Sequence, residues 1–243
     1  MADLRRSRGP HPNDPTVFGP ARHPVLRSAT RQLGWLLGEG FNIDAAGRLV
    51  GDHHQLNKRQ RMAIARAACG PDLGLRRQAQ TIAVAGARVV IDGFNQLVHV
   101  EAALDGGVIL WCADGRTRDI ASVHGTWRRI DQTGHALDLL VAALADAAEV
   151  RWILDRPISN SGRLAGMLRD RGMSVTLENA ADHALAALAA EGWRLASSDG
   201  PLLDRVSESV DLAGPVVRSL REGSDPLVVN LFSGTAPWHH TAD

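Results

Sequence analysis

Val89-Val90-Ile91-Asp92-Gly93-Phe94-Asn95 is a strand-like run that ends on an acid and gives way to a helix-like segment. In an open parallel sheet, ligands bind beyond the carboxyl ends of the strands, so Asp92 stands where chemistry is done. Three more carboxylates occupy comparable settings. Asp155 closes Val150-Arg151-Trp152-Ile153-Leu154, and Asp182 opens the helix after Val175-Thr176-Leu177. Asp199 closes Trp193-Arg194-Leu195-Ala196-Ser197-Ser198. One acid after a strand can serve as a helix cap. Four of them on successive βα units make a shared pole of negative charge, and its natural occupant is a hard divalent cation.

Outward from this stretch, strands alternate with helices. Strands are expected near 88–92, 107–112, 150–155, 173–178, 193–198 and 227–232, with helices near 95–104, 133–148, 161–171, 181–191 and 215–221. That alternation predicts an α/β fold: a parallel sheet with helices on both faces. The strands are apolar throughout, as burial on two faces requires. Residues 113–131 break the pattern, holding Asp114-Gly115, Arg116, Arg118, Asp119, His124 and Gly125 with little periodicity. Irregular segments of this length inside a compact domain are often functional.

The N-terminal third differs. Pro10, Pro12, Pro15 and Pro20 among polar neighbours predict a disordered tail over 1–22. A small all-α module is expected over 23–79, and the α/β domain over 85–235. Leu26, Leu33, Leu36 and Leu37 recur at helical spacing before Gly38-Glu39-Gly40, Ile43 to Val50 form a short helix, and Asn57 caps Lys58 to Cys69.

At 243 residues with 44% hydrophobic content the chain can bury a sizeable core. No segment is apolar for the length of a membrane span, and Met1 to Pro20 lacks the apolar stretch of a secretory signal. Cys69 and Cys112 are isolated, without CxxC spacing, which points to packing roles in a reducing cytoplasm. The net charge of zero hides an asymmetry: Met1 to Gln80 holds 13 Lys/Arg against 6 Asp/Glu, and Thr81 to Asp243 holds 14 against 21. A basic part joined to an acidic part fits nucleic-acid contact beside a metal site, with Lys58, Arg59, Arg61 and Arg66 on one helix face. Docking of the two parts on each other accounts for it equally well.

Mg²⁺ or Mn²⁺ takes oxygen ligands from a few carboxylates plus water and substrate phosphate. Such a site activates water for phosphodiester hydrolysis near neutral pH. Asn95, three residues past Asp92, is placed to orient that water or to cap the helix. The turn Arg156-Pro157-Ile158-Ser159-Asn160-Ser161-Gly162 offers hydroxyls and backbone N–H groups at a helix start, an anion-binding arrangement. His53-His54 and His239-His240 match no zinc spacing, and GxGxxG, GxxxxGK[ST] and GxSxG are absent.

Asp92-Gly93-Phe94-Asn95 after a strand, with Ser197-Ser198-Asp199 late in the domain, resembles PIN-like and NYN-type nuclease domains. More of the chain is similar to an uncharacterised prokaryotic family built from two parts. Leu49-Val50-Gly51-Asp52-His53-His54-Gln55-Leu56-Asn57-Lys58-Arg59-Gln60-Arg61 resembles the small helical domain of unknown function 434. Ile91 to Asn95, Asp114-Gly115 with Arg118-Asp119, and Asp155 to Gly162 resemble its PIN-like second part. The resemblance implies metal-bound acids at one pole, carried onto Asp92, Asp182 and Asp199, with Asp155 assisting. It also implies a further acid on a helix between the first and third strands, for which Glu101, Asp114 and Asp119 are the candidates. The expected function is Mg²⁺- or Mn²⁺-dependent hydrolysis of RNA, with Asn95 orienting water and with Arg118, Ser159, Asn160 and Ser161 holding phosphate. The second expectation is a PIN-like protein without catalysis that binds nucleic acid or regulates. A homo-oligomer is the other assembly considered.

Overall fold

The computed structural model describes residues 9–121, 125–221, 225 and 227–232. The chain opens with helices α1 (Asp14–Phe18), α2 (His23–Gly38), α3 (Ile43–His53), α4 (Lys58–Ala67) and α5 (Pro71–Ala79). Asn57 caps α4 in a reciprocal box: its Oδ1 accepts from Gln60 N–H at 3.0 Å, and Gln60 Oε1 accepts from Asn57 N–H at 3.1 Å.

The disordered tail is corrected over residues 9–22; residues 1–8 lie outside the described residues. Phe18 is fully buried, and buried Asp14 accepts two hydrogen bonds from Arg59 at 2.8 and 2.7 Å. The prolines mislead because Pro15 and Pro20 stand in the first turns of helical segments, where a missing N–H costs nothing.

The α/β part runs β1 (Thr81–Ile82), β2 (Arg88–Asp92), α6 (Gly93–Leu104), β3 (Ile109–Trp111), β4 (Thr117–Asp119), α7 (Thr133–Ala142), β5 (Glu149–Asp155) and α8 (Ser161–Arg169). It continues with β6 (Ser174–Glu178), α9 (Ala181–Ala190), β7 (Arg194–Ala196), α10 (Gly200–Leu203), β8 (Ser209–Val210), α11 (Ala213–Leu220) and β9 (Val228–Asn230). Six strands form a parallel sheet in the order β1-β8-β7-β2-β5-β6. The expected α/β class with an all-helical N-terminal part is the observed one. Val89 and Ile91 pack with α6, α7, α8 and α11 on one face, while Val90, Ile153 and Leu195 pack with α9 and α10 on the other.

From β2 the chain moves to β5 and β6 on one side and returns as β7 on the other. The connections therefore diverge at β2, and its carboxyl end, at Asp92, borders the crevice such sheets use for ligands.

The strands expected at 107–112 and 227–232 are not in this sheet. β3 pairs antiparallel with β4 and parallel with β9 as a separate three-stranded sheet. An apolar run shows that a strand is buried and leaves open which layer buries it. Leu110, Cys112, Leu227, Val229 and Leu231 share one core with Leu26, Leu33 and Ile64 of the helices. Ile109 and Val228 turn the other way, toward the main core. The segment expected to be irregular thus supplies β4, and residue 79 marks a change of element type inside a continuous body. The far end of the expected domain, 233–235, lies outside the described residues, as do His124 and His239-His240.

Among the described residues no helix is long and apolar enough to cross a membrane.

Candidate active site

A cleft of about 1050 Å³ lies between the carboxyl edge of the large sheet and the helical part. Asp92, Asp155, Asp182 and Asp199 all line it. The geometry behind this is the parallel sheet itself, in which β2, β5, β6 and β7 end on the same edge. Gly93 lets α6 start against β5: a Cβ there would lie 2.4 Å from Leu154 Cδ2 and 3.1 Å from the Ile153 carbonyl.

The four acids differ in what they already bind. Asp92 stands at the N-cap position of α6 without making a capping hydrogen bond. Its Oδ2 instead accepts from Ser197 Oγ at 2.8 Å. Burial pushes the Asp92 carboxyl up to about 7; the Ser197 hydroxyl and the Asn95 N–H oppose the rise, and the charges of Asp199 and Asp182 add to it. Asp155 is also raised, first by burial and then by Asp182, while the Ala181 N–H favours its anion. Asp199 is a helix cap, its Oδ1 accepting from Leu202 N–H at 2.9 Å. Asp182 is exposed in the first turn of α9. The four are coupled electrostatically across one cavity. Among the described residues, however, no three His, Cys, Asp or Glu side chains are grouped closely enough to hold a metal ion as they stand.

Asn95 lines the cleft, and its carbonyl end is fully occupied: Oδ1 accepts from Ser198 N–H and Ser198 Oγ, both at 2.9 Å, and from Gln96 Nε2 at 2.8 Å. It ties α6 to the Ser197-Ser198-Asp199 loop.

The groups expected to hold phosphate are engaged inside the fold. Arg118 lines the cleft, but its Nη1 and Nη2 donate to Asp114 at 2.8 and 2.6 Å and its Nε donates to the Ser198 carbonyl at 2.6 Å. A buried guanidinium needs such a partner, because an unpaired charge away from water is costly. Asp114 also accepts from Arg77 at 3.0 Å, and its arginines hold its carboxyl down at about 2 against the opposing effect of burial. Arg77 in turn donates twice to Asp204, each time at 2.8 Å. The result is a continuous ionic chain from the helical part to the loop that carries Asp199.

Ser159, Asn160 and Ser161 do not line the cleft. Ser159 exchanges backbone hydrogen bonds with Gly125 and Trp127, Asn160 Nδ2 donates to the Trp127 carbonyl, and Ser161 Oγ donates to the Arg156 carbonyl. The surplus of polar groups in that turn anchors the 125–127 segment.

Of the three candidates for a further acid, Asp119 lines the cleft. Glu101 is fully buried against Thr133, and Asp114 is locked between its arginines. The three arginines on the basic face of α4 are also engaged within the fold. Arg59 binds Asp14, Arg61 binds Asp52 and the Leu56 carbonyl, and Arg66 donates to the Asp119 and Ala121 carbonyls. Sequence reading missed Ser197 as the partner of Asp92 and Trp35 as part of the cleft. Position 35, off the Leu26-Ala29-Leu33 stripe of α2, was the available signal for Trp35.

Fold and cleft define a two-part α/β protein in which acid-bearing strand ends and a helical part share one cavity. Residues 81–215 match the family described as Domain of unknown function (DUF5616), and the chain belongs to that family. Residues 25–79 match Protein of unknown function (DUF434), so the two-part layout is the expected one. The chain is similar to Uncharacterized protein MJ0935 of Methanocaldococcus jannaschii, at 29% identity over 157 residues covering 63% of this chain and 76% of the relative. No solved structure matches it.

Proposed function

We propose that this protein is a Mg²⁺- or Mn²⁺-dependent hydrolase of phosphodiester bonds in RNA, built on a PIN-like, NYN-type domain. The observation that carries the reading is Asp92: a carboxylate at the sheet's divergence point, coupled to Asp182 and Asp199 and pushed to about 7. An acid held against its own ionisation at the end of a central strand is what a cation-binding position looks like before the cation neutralises it.

The donor set is all oxygen, the kind these ions take, and Mg²⁺ commonly needs only one or two protein carboxylates beside water and phosphate. Asp92, Asp182 and Asp199 would hold the ion, with Asp155 assisting. A bound ion supplies Lewis acidity toward a phosphoryl oxygen and a water of lowered pKa. Asn95 and Arg118 act one step back: both fix the Ser198 backbone and with it Asp199. Among the described residues eight acids line the cleft against three arginines, and hydrogen bonds within the fold engage all three. A phosphodiester therefore enters only with cations to offset that charge.

The test is cleavage of a generic single-stranded RNA with Mn²⁺, with Mg²⁺ and with chelator. Wild type should cleave only with cation, and Asp92→Asn should lose at least about 100-fold in rate, the scale of an electrostatic catalytic group. One observation favours a second reading, a PIN-like nucleic-acid-binding or regulatory protein without catalysis: Asp199 is spent on a helix cap and no ready-made cation cluster is present among the described residues. RNA bound but never cleaved, with either cation, decides for that reading.

A further inference from the structure

We infer that Trp35 of the helical part is a stacking platform for a base of a single-stranded substrate, which makes that part the second wall of the active site. The inference rests on the hydrolase reading for its substrate class. It is carried by a different observation.

Trp111, Trp127, Trp152 and Trp193 are all buried to within 2% of full burial, whereas Trp35 is 60% exposed. The same Trp35 lines the cleft that holds Asp92 and Asp199. Large exposed aromatics inside a cavity are informative where scattered ones on a surface are not. Ile43, 41% exposed, lines the cleft beside it and extends the apolar wall.

The wall is rigid. α2 buries Leu26, Ala29, Leu33 and Gly34. Gly34 allows close approach to the next layer, since a Cβ there would sit 2.8 Å from the Cys69 carbonyl. Trp35, one residue on, is thus presented to the cavity from a clamped helix rather than from a loop. A platform held this way loses little freedom when a ligand stacks on it.

The chemistry of the two walls selects the ligand. One wall is carboxylate-rich and accepts cations with their phosphate; the other offers a flat π-face and an aliphatic neighbour. A nucleotide has this same division, a cation-binding phosphate on one side and a planar base on the other. At about 1050 Å³ the cleft has room for more than one nucleotide unit. A duplex hides its base faces in its own stack, so the platform selects unpaired strands.

The test measures binding of short phosphorothioate-linked oligoribonucleotides, which resist cleavage, to the full-length protein in Mn²⁺. Trp35→Ala should weaken binding of a base-bearing single strand about 10-fold or more, and Trp35→Phe should retain most of the affinity. An abasic strand of the same length should bind wild type and Trp35→Ala equally. Wild type should also show quenched tryptophan emission on binding, with the quenching lost in Trp35→Leu. Equal affinity of wild type and Trp35→Ala, or an equal loss with the abasic strand, overturns the platform. The two readings separate cleanly: cleavage of ordinary RNA with an unchanged KM in Trp35→Ala sinks the platform alone. Trp35-dependent binding without cleavage leaves the platform standing and removes the hydrolase.

Discussion

Ser197 Oγ donates to Asp92 Oδ2 at 2.8 Å across neighbouring parallel strands, one residue beyond the Ile91–Ala196 register pair. This contact is the main local force favouring the Asp92 anion against burial and two like charges. Removing it with Ser197→Ala should move the Asp92 titration above its present value of about 7. A ¹³C-carboxyl NMR titration reads this directly; a midpoint that stays or falls would show that Ser197 is only a packing neighbour.

Asp92→Asn should raise stability in metal-free buffer at pH 8 and leave it nearly unchanged at pH 4. The folded pKa of about 7 exceeds the ordinary value of 3.8, so relative stability is full below about pH 4 and is lost as pH rises through 7. The variant escapes that loss, with Tm rising by roughly 2–4 °C for each kcal/mol relieved. Thermal melts of both proteins across pH 4–8 check it. A variant that melts well below wild type at pH 8 would mark Asp92 as a structural partner.

Divalent cation should have the opposite effect on wild type. Binding to the folded state alone stabilises by about 2.7 kcal/mol at a hundredfold excess over Kd. Because the ion competes with the Asp92 proton, the rise in Tm with Mn²⁺ should be larger at pH 8 than at pH 5.5. Asp92→Asn should show little of it. Equal shifts in the two proteins would place the ion elsewhere.

Arg59→Ala and Arg66→Ala should each cost about 1–3 kcal/mol of stability, by stranding buried Asp14 or the Asp119 and Ala121 carbonyls. Neither should change the salt dependence of RNA binding, since these guanidinium groups are already committed inside the molecule. A flatter salt slope in either variant, with stability intact, would return α4 to the binding surface.

Arg118→Gln should be the most damaging single change, at about 3–5 kcal/mol, because it leaves the Asp114 carboxylate, 2% exposed, without its bidentate partner. The double variant Arg118→Met, Asp114→Leu should recover much of that loss. Denaturant melts of the single and double variants measure the recovery; none would mean the ion pair is not what the fold depends on.

The shared edge of the four acids was legible because strand ends carry position. Asp92, Asp155, Asp182 and Asp199 each follow an apolar strand run, and parallel strands deliver such residues to one edge. The partners of Arg118 and of the Ser159-Asn160-Ser161 turn were not legible, for one shared reason. A polar side chain in a loop reads the same whether it serves a ligand or another stretch of chain. Asp114 and the 125–127 segment claim them only after folding.

By itself, the order of apolar runs, caps and turns determined the α/β class, the helical part before it and the four acids at strand ends. These follow from local periodicity and from the geometry of parallel sheets. Tertiary structure alone decided that β3 and β9 leave the main sheet to cover the helices, that Arg66, Arg77 and Arg118 are engaged inside the fold, and that Trp35 lines the same cavity as Asp92. Those outcomes depend on which surfaces compete for each apolar face and each charge. That competition is between residues far apart in the chain, and no local pattern records it.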